Sequence, residues 1–197
     1  VLNYWGAVPI FQTGIMDEQL EFLKEIASRL ETAGIHYMVT GSVALAVYAV
    51  PRMTRDLDLV IDVQLKDADR LTKLFAQDCY VNREAVRHAA RERGMFNIIH
   101  NEWILKADFI VRKEEPYRKV EFERRHDIDV GGVPIAVVSP EDLILSKLCW
   151  ADKSASELHL GDIREIIRSV KDLDWAYMEE WADKIGVRAL LEEVRSS

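Results

Sequence analysis

Residues 56–63 alternate with a period of two. Leu57, Leu59, Ile61 and Val63 are apolar, and Asp56, Asp58, Val60 and Asp62 stand between them. Only an extended strand turns every second side chain to the same face. Four apolar residues on one side demand a covered core face. Acids at positions i and i+2 on the other side place two carboxylates with α-carbons about 6–7 Å apart. The chain must therefore build a sheet with one buried face and one face on which negative charge collects.

The surrounding sequence predicts how that strand is framed. An N-terminal arm, 1–15, precedes a helix from Met16, with Asp17 as its N-cap and Gly34 as its stop. A short strand, 36–40, leads into Gly41-Ser42 and a helix over 43–50 that Pro51 ends. Helices are expected over 65–77 and 83–93. Strands over 95–100 and 105–112 form a hairpin, and strands over 126–130 and 133–138 flank the Gly131-Gly132 turn. After Val138 the pattern is helical to the end, over 140–151, 157–170, 174–185 and 187–195. Ser139 is the N-cap of the first of these, with Pro140 at its first position and Asp142 at its third. The expected fold class is α/β (α+β): a mixed-sheet domain over 16–138, then a helical region over 139–197.

Three acids carry the candidate chemistry. Asp56 and Asp58 share one face of their strand. Asp108 lies on the 105–112 strand, opposite in direction to Leu105, Ala107, Phe109 and Val111 and on the side of Lys106 and Ile110. Carboxylates gathered this closely repel unless a hard cation lies between them. A pair of magnesium ions on such a set can hold both oxygens of an in-line phosphoryl displacement. Gly41-Ser42, at a strand-to-helix junction, offers backbone N–H groups and a helix N-terminus to an anion. The order strand, Gly-Ser, helix, Asp-x-Asp thus sets a triphosphate cradle beside a metal pair.

The run Val39-Thr40-Gly41-Ser42, thirteen residues, then Asp56-Leu57-Asp58-Leu59 resembles the signature of the polymerase-beta-type nucleotidyltransferase superfamily. The chain as a whole, over roughly 20–185, resembles the AbiEii/AbiGii-like branch of small prokaryotic nucleotidyltransferases. Thr54-Arg55 fits that branch's approach to the acidic strand, the run from Val138 to Leu148 fits its C-terminal helix, and Asp162-Ile163 fits the next. The resemblance implies transfer of a nucleoside monophosphate from a nucleoside triphosphate to an acceptor hydroxyl. It implies magnesium, two ions, on Asp56, Asp58 and Asp108, with the hydroxyl activated near Asp108. It implies nucleotide binding by Gly41, Ser42, Arg55 and Lys147. The acceptor stays open among a tRNA end, a protein side chain and a small molecule such as an antibiotic, and a toxin-like role would bring a cognate antitoxin as partner. One departure bears on the toxin role: no Arg precedes Asp162 in 154–161, and Arg164 follows it.

Composition sets the outer limits. Lys and Arg total 26 against 34 Asp and Glu, a formal net charge of −8. That excludes a broad basic face for coating nucleic acid but leaves room for a local basic groove. Cys79 and Cys149, the two cysteines, cannot build a disulfide framework or a Cys-rich zinc site. With no signal-peptide pattern in 1–15 and no run of 18 apolar residues, the chain reads as cytoplasmic and not membrane-spanning.

Competing patterns are weaker. Asp127-Ile128-Asp129 repeats the Asp-x-Asp spacing but runs into a Gly-Gly turn, which reads as a solvated hairpin face. A dehalogenase-like phosphatase needs its nucleophilic Asp at the end of an apolar strand, and 51–55 is Pro-Arg-Met-Thr-Arg. A catalytically silent relative that binds a nucleotide or a partner protein is the non-enzyme alternative. Arg83, Arg87, His88, Arg91 and Arg93 offer a local patch to a nucleic-acid acceptor, though such a run more often forms an exposed helix face. His36, His100, His126 and His159 lack metal-ligand spacing. The tryptophans, Trp150 among them, read as packing residues.

Overall fold

A computed structural model describes residues 14–50, 54, 56–154 and 156–196. The order of elements is α1 (Gly14–Thr32), β1 (Tyr37–Thr40), α2 (Gly41–Tyr48), β2 (Asp56–Ile61), a 3-10 turn (Leu65–Asp67) with α3 (Ala68–Phe75), and β3 (Cys79–Val81). There follow α4 (Arg83–Glu92), β4 (Met95–His100), β5 (Lys106–Val111), α5 (Pro116–Glu123), β6 (His126–Val130) and β7 (Val133–Val137). The chain closes with α6 (Pro140–Ser154), α7 (Glu157–Ser169), α8 (Trp175–Ile185) and α9 (Arg188–Arg195). Most of the expected N-terminal arm lies outside the described residues, as does Arg55.

The strands form one seven-stranded sheet in the order β3-β4-β5-β2-β1-β7-β6. It is mixed, as the two hairpins require: β2 runs parallel to β5 and β1 to β7, and the other neighbours are antiparallel. Gly131 and Gly132 both take positive φ, 62° and 86°, the backbone that a two-residue hairpin between twisted strands demands. Strand β3 (Cys79–Val81) carries no periodic signal in the sequence. Three residues, 79–81, are too few to show a period.

Alternation decides the two faces. Leu57, Leu59, Ile61, Ala107, Phe109 and Val111 are all at 0% exposure on the core face. Helices α1 and α3 cover it, with Phe75 against Phe109, and Phe22 against His100 on the buried side of β4. Helix α1 starts two residues before the expected Met16, so Asp17 sits in its first turn rather than at its cap, where a carboxylate still favours the helix N-terminus.

Helices α5 and α6 stand over the opposite face. α6 is buried on all sides over 141–148, and its polar side chains survive there because each has a partner. Ser139 caps it, accepting from Asp142 N at 3.1 Å and donating to Asp142 Oδ2 at 2.6 Å. Asp142 also accepts from Arg124 Nε at 3.0 Å and from the Tyr177 hydroxyl at 2.6 Å. Lys147 Nζ reaches Asp162 Oδ2 of α7 at 2.7 Å. The Arg124 bond ties α6 to the end of α5, and the Tyr177 and Lys147 bonds tie it to α8 and α7. Among the described residues no helix is long and apolar enough to cross a membrane.

Candidate active site

Strand register assembles the site. β2 and β5 pair in parallel with Asp56 opposite Lys106 and Asp58 opposite Asp108. On the other side of β2, Thr40 of β1 faces Asp58. Asn97 of β4 faces Asp108. One row across the sheet therefore reads Thr40, Asp58, Asp108, Asn97, on the side away from the core. The three predicted acids converge. Asp56 is the outermost, its side chain 51% exposed, and Asp108 the more enclosed at 13%.

Lys106 enters this cluster. Its ammonium lies 2.9 Å from Asp108 Oδ2 and 3.4 Å from Asp56 Oδ2. The bond to Asp108 holds the lysine above its ordinary pKa despite partial burial. The sequence places Lys106 on the acidic face by alternation, but only the register makes it a bridge between two of the acids.

Asp58 is pushed up to about 6. Burial is the main cause, the Asp108 and Asp56 carboxylates add to it, and Lys106 and Lys147 oppose it. A carboxyl that gives up its proton this reluctantly, beside two others, is short of positive charge. The donors are hard carboxylate oxygens, as magnesium prefers, so the residues fit such an ion.

Gly41 opens α2 with φ +66°, a region that side chains rarely adopt. A β-carbon there would overlap Asp58 Oδ2 and stand 2.7 Å from its Cγ. The glycine is thus dictated twice, by backbone and by the neighbouring acid, and the start of α2 is held against the carboxylates. Thr40 is the N-cap residue of α2. Ser42 is buried inside the first turn.

Lys147, expected to contact the triphosphate, is buried and paired with Asp162, yet near enough to Asp58 to lower its pKa. Asp127 and Asp129 lie on β6, at the edge of the sheet and three strands from β2. Arg83 and Arg87 are engaged by Asp69 at 3.0 and 3.1 Å.

A second group of ligand-type side chains appears on the core side. Glu25, Asp78 and His100 each offer an atom within 4.8 Å of the others. Sequence spacing hid this, because the three residues come from α1, the approach to β3, and β4. Arg29 already donates to Asp78 at 2.7 Å and to Glu25 at 3.2 Å. His100 Nδ1 accepts from the backbone of Glu102 and Trp103 at 3.3 and 3.2 Å, which leaves the ring proton on Nε2, toward Asp78. A cation would have to displace both a guanidinium and that proton, so the sheet-face acids are the better metal donors.

A cleft of about 280 Å³ lies on this same side of the sheet, between it and α5–α6; Thr40 is in its lining, and Asp58 and Asp108 stand one row away from Val60 and Ile110. Val60 and Ile110 form its floor, Met95 and Trp150 its sides, and Arg118 and Glu121 its inner wall. Arg118 donates to Ser146 Oγ at 2.6 Å and to Glu121 Oε2 at 2.8 Å, while burial holds the Glu121 carboxyl above its ordinary range.

Several solved structures resemble this arrangement. An antigenic nucleotidyltransferase-like protein from Paracoccidioides brasiliensis gives a TM-score of 0.55 at 19% identity, over 90% of this chain and 92% of its own. The antibiotic-resistance factor ANT(2'')-Ia gives 0.56 at 15% identity, over 91% and 94%. The lincosamide antibiotic adenylyltransferase LnuA, bound to lincomycin, gives 0.51 at 13%, over 78% and 98%. At these identities the likeness is one of fold. No curated protein matches the chain. Its residues 17–196 match the family described as uncharacterised nucleotidyltransferase, and it is to this family of nucleotidyltransferases that the chain belongs.

Proposed function

We propose that the chain transfers a nucleoside monophosphate from a nucleoside triphosphate to an acceptor hydroxyl, with Asp56, Asp58 and Asp108 holding magnesium. The observation that carries this reading is the register that sets Asp58 beside Asp108, with Asp56 two residues along and Gly41 packed against Asp58. Two magnesium ions on these oxygens would draw negative charge from the triphosphate and lower the pKa of the attacking hydroxyl.

The chain's own residues do the rest. Backbone N–H groups at the start of α2, from Gly41 and Ser42, receive the outer phosphates. Asp108 is the acid nearest the attacking side and takes up the hydroxyl proton. The acceptor oxygen bonds to the α-phosphorus, the bond from that phosphorus to the β-bridging oxygen breaks, and pyrophosphate leaves on the α2 side. Lys147, through its effect on Asp58, supports charge balance there, and Arg55 is assigned to the triphosphate by its place before the acidic strand. The AbiEii/AbiGii-like branch remains our assignment within the family, on the residues that carry that resemblance.

The test is transfer from labelled nucleoside triphosphates, with magnesium, into total tRNA and cell lysate. Asp58→Asn should abolish labelling and pyrophosphate release while the thermal unfolding transition persists. Full activity in that variant would sink the mechanism. Magnesium-dependent nucleotide binding without pyrophosphate release in the native chain would favour a silent binding protein instead.

A further inference from the structure

We propose that the cleft between Met95 and Trp150 seats the acceptor, and that this acceptor carries a planar ring and a phosphate. The inference rests on the transfer reading above. In an in-line displacement the attacking oxygen and the leaving pyrophosphate stand on opposite sides of the phosphorus. The α2 cradle lies on the β1 side of Asp58 and Asp108 on its β5 side, so attack comes from the β5 side. The cleft opens mainly there. Its floor is the next row of the sheet, Val60 and Ile110, two residues along from Asp58 and Asp108, with Met95 at its side two residues from Asn97.

Its sides suit a flat ring. Met95 is 62% exposed and Trp150 57%, two of the large apolar side chains that reach the surface. One comes from β4 and the other from α6, and both line the same cleft above an aliphatic floor. A thioether and an indole lining one cleft favour a planar π-system.

Its far end suits an anion. Arg93, Arg112 and Lys113 line that end, and Lys119 stands behind them, paired with Glu114 at 2.7 Å. The acids in this group are Asp62, paired with Arg112 at 3.1 Å, and Glu114, paired with Arg93 at 2.8 Å. Four cations stand against these two carboxylates and the neighbouring exposed Glu115, an excess of one positive charge, in a chain whose net charge is −8. The group lies about 13 Å from Asp108, four residues along β5. That is too far for the same triphosphate that is held at Gly41. It matches a phosphate on the acceptor, beyond the ring and the reacting hydroxyl. A polycationic acceptor would meet repulsion there.

The test loads the full chain with magnesium and non-hydrolysable triphosphate analogues of the four bases, then titrates triadenylate, adenosine 5′-monophosphate and adenosine by calorimetry. Both phosphate-bearing probes should bind the loaded protein at least tenfold more tightly than adenosine. Lys113→Glu, which changes an exposed charge, should weaken them about five- to tenfold and leave adenosine unchanged. Trp150→Ala should weaken all three. Triadenylate tighter than the monophosphate by tenfold or more identifies a nucleic-acid end as the source of the phosphate. Equal affinities identify a small phosphorylated compound. Unchanged affinity in Lys113→Glu overturns the proposal, and so does loss of probe binding when the triphosphate analogue is present, since the cleft would then belong to the donor nucleoside. Failure of the analogues to bind with magnesium would instead strike the transfer reading itself.

Discussion

Gly41 and Asp58 are in direct apposition: a β-carbon on the glycine would overlap the carboxylate oxygen of the acid. The contact joins the two halves of the sequence signature, the Gly-Ser turn and the Asp-x-Asp strand, into one surface. Gly41→Ala should therefore displace Asp58 as well as strain the backbone. We expect a loss of stability of about 1–3 kcal/mol and a fall in transfer on the order of 100-fold or more, read by thermal unfolding and by labelled-nucleotide transfer. Near-native transfer by this variant would show that the contact is not part of the site.

Asp58 gives a pH dependence with a definite sign. Its folded value of about 6 lies above that of an unfolded Asp, near 4. The folded chain therefore holds this proton more tightly, and the group's contribution to stability declines as pH rises between these values. Above pH 6 a penalty of at most about 3 kcal/mol remains. Metal-free Asp58→Asn should melt higher than the native chain at pH 7.5, with the difference closing towards pH 4. Magnesium competes with the same proton, so its apparent affinity should fall steeply below pH 6 in a calorimetric titration.

Lys106 supplies positive charge to two of the acids. Lys106→Met leaves the carboxylates without it. The metal-free chain should lose about 1 kcal/mol, the modest value of a part-exposed pair. Magnesium should bind several-fold more tightly, because a competing cation is gone. Equal magnesium affinity in the variant and the native chain would show that Lys106 does not compete for the acids.

Lys147 and Asp162 separate support from substrate binding. Their side chains are 5% and 6% exposed, so Lys147→Met takes the ammonium away from a buried carboxylate. The expected cost is about 3–5 kcal/mol. Adding Asp162→Leu removes that buried charge and should restore most of the stability. If Lys147 also serves the triphosphate, the double variant melts like the native chain yet transfers poorly. Recovery of both properties would make the pair structural alone.

The legible parts of this protein were those written in short-range periods. The alternation over 56–63 predicts β2, its buried side and its acidic side, and the same rule puts Asp108 on the acidic side of β5. Ser139 with Asp142 predicts the start of α6, and the bond between them is present. Strand β3 was too short for such a rule. The cluster of Glu25, Asp78 and His100 has no spacing to notice, because three distant segments supply it.

The sequence by itself determined which faces the elements present and the order cradle, helix, acidic strand. Both follow from steric and solvation preferences that act within a few residues. Only the tertiary structure decided that Asp58 meets Asp108 in register, that Lys106 bridges two acids, that Lys147 is buried against Asp162, and that Met95 and Trp150 face one cleft. Register and burial depend on how distant segments pack their apolar faces together. No single segment carries that information, because shifting one strand by a single residue would turn the same acids into the core.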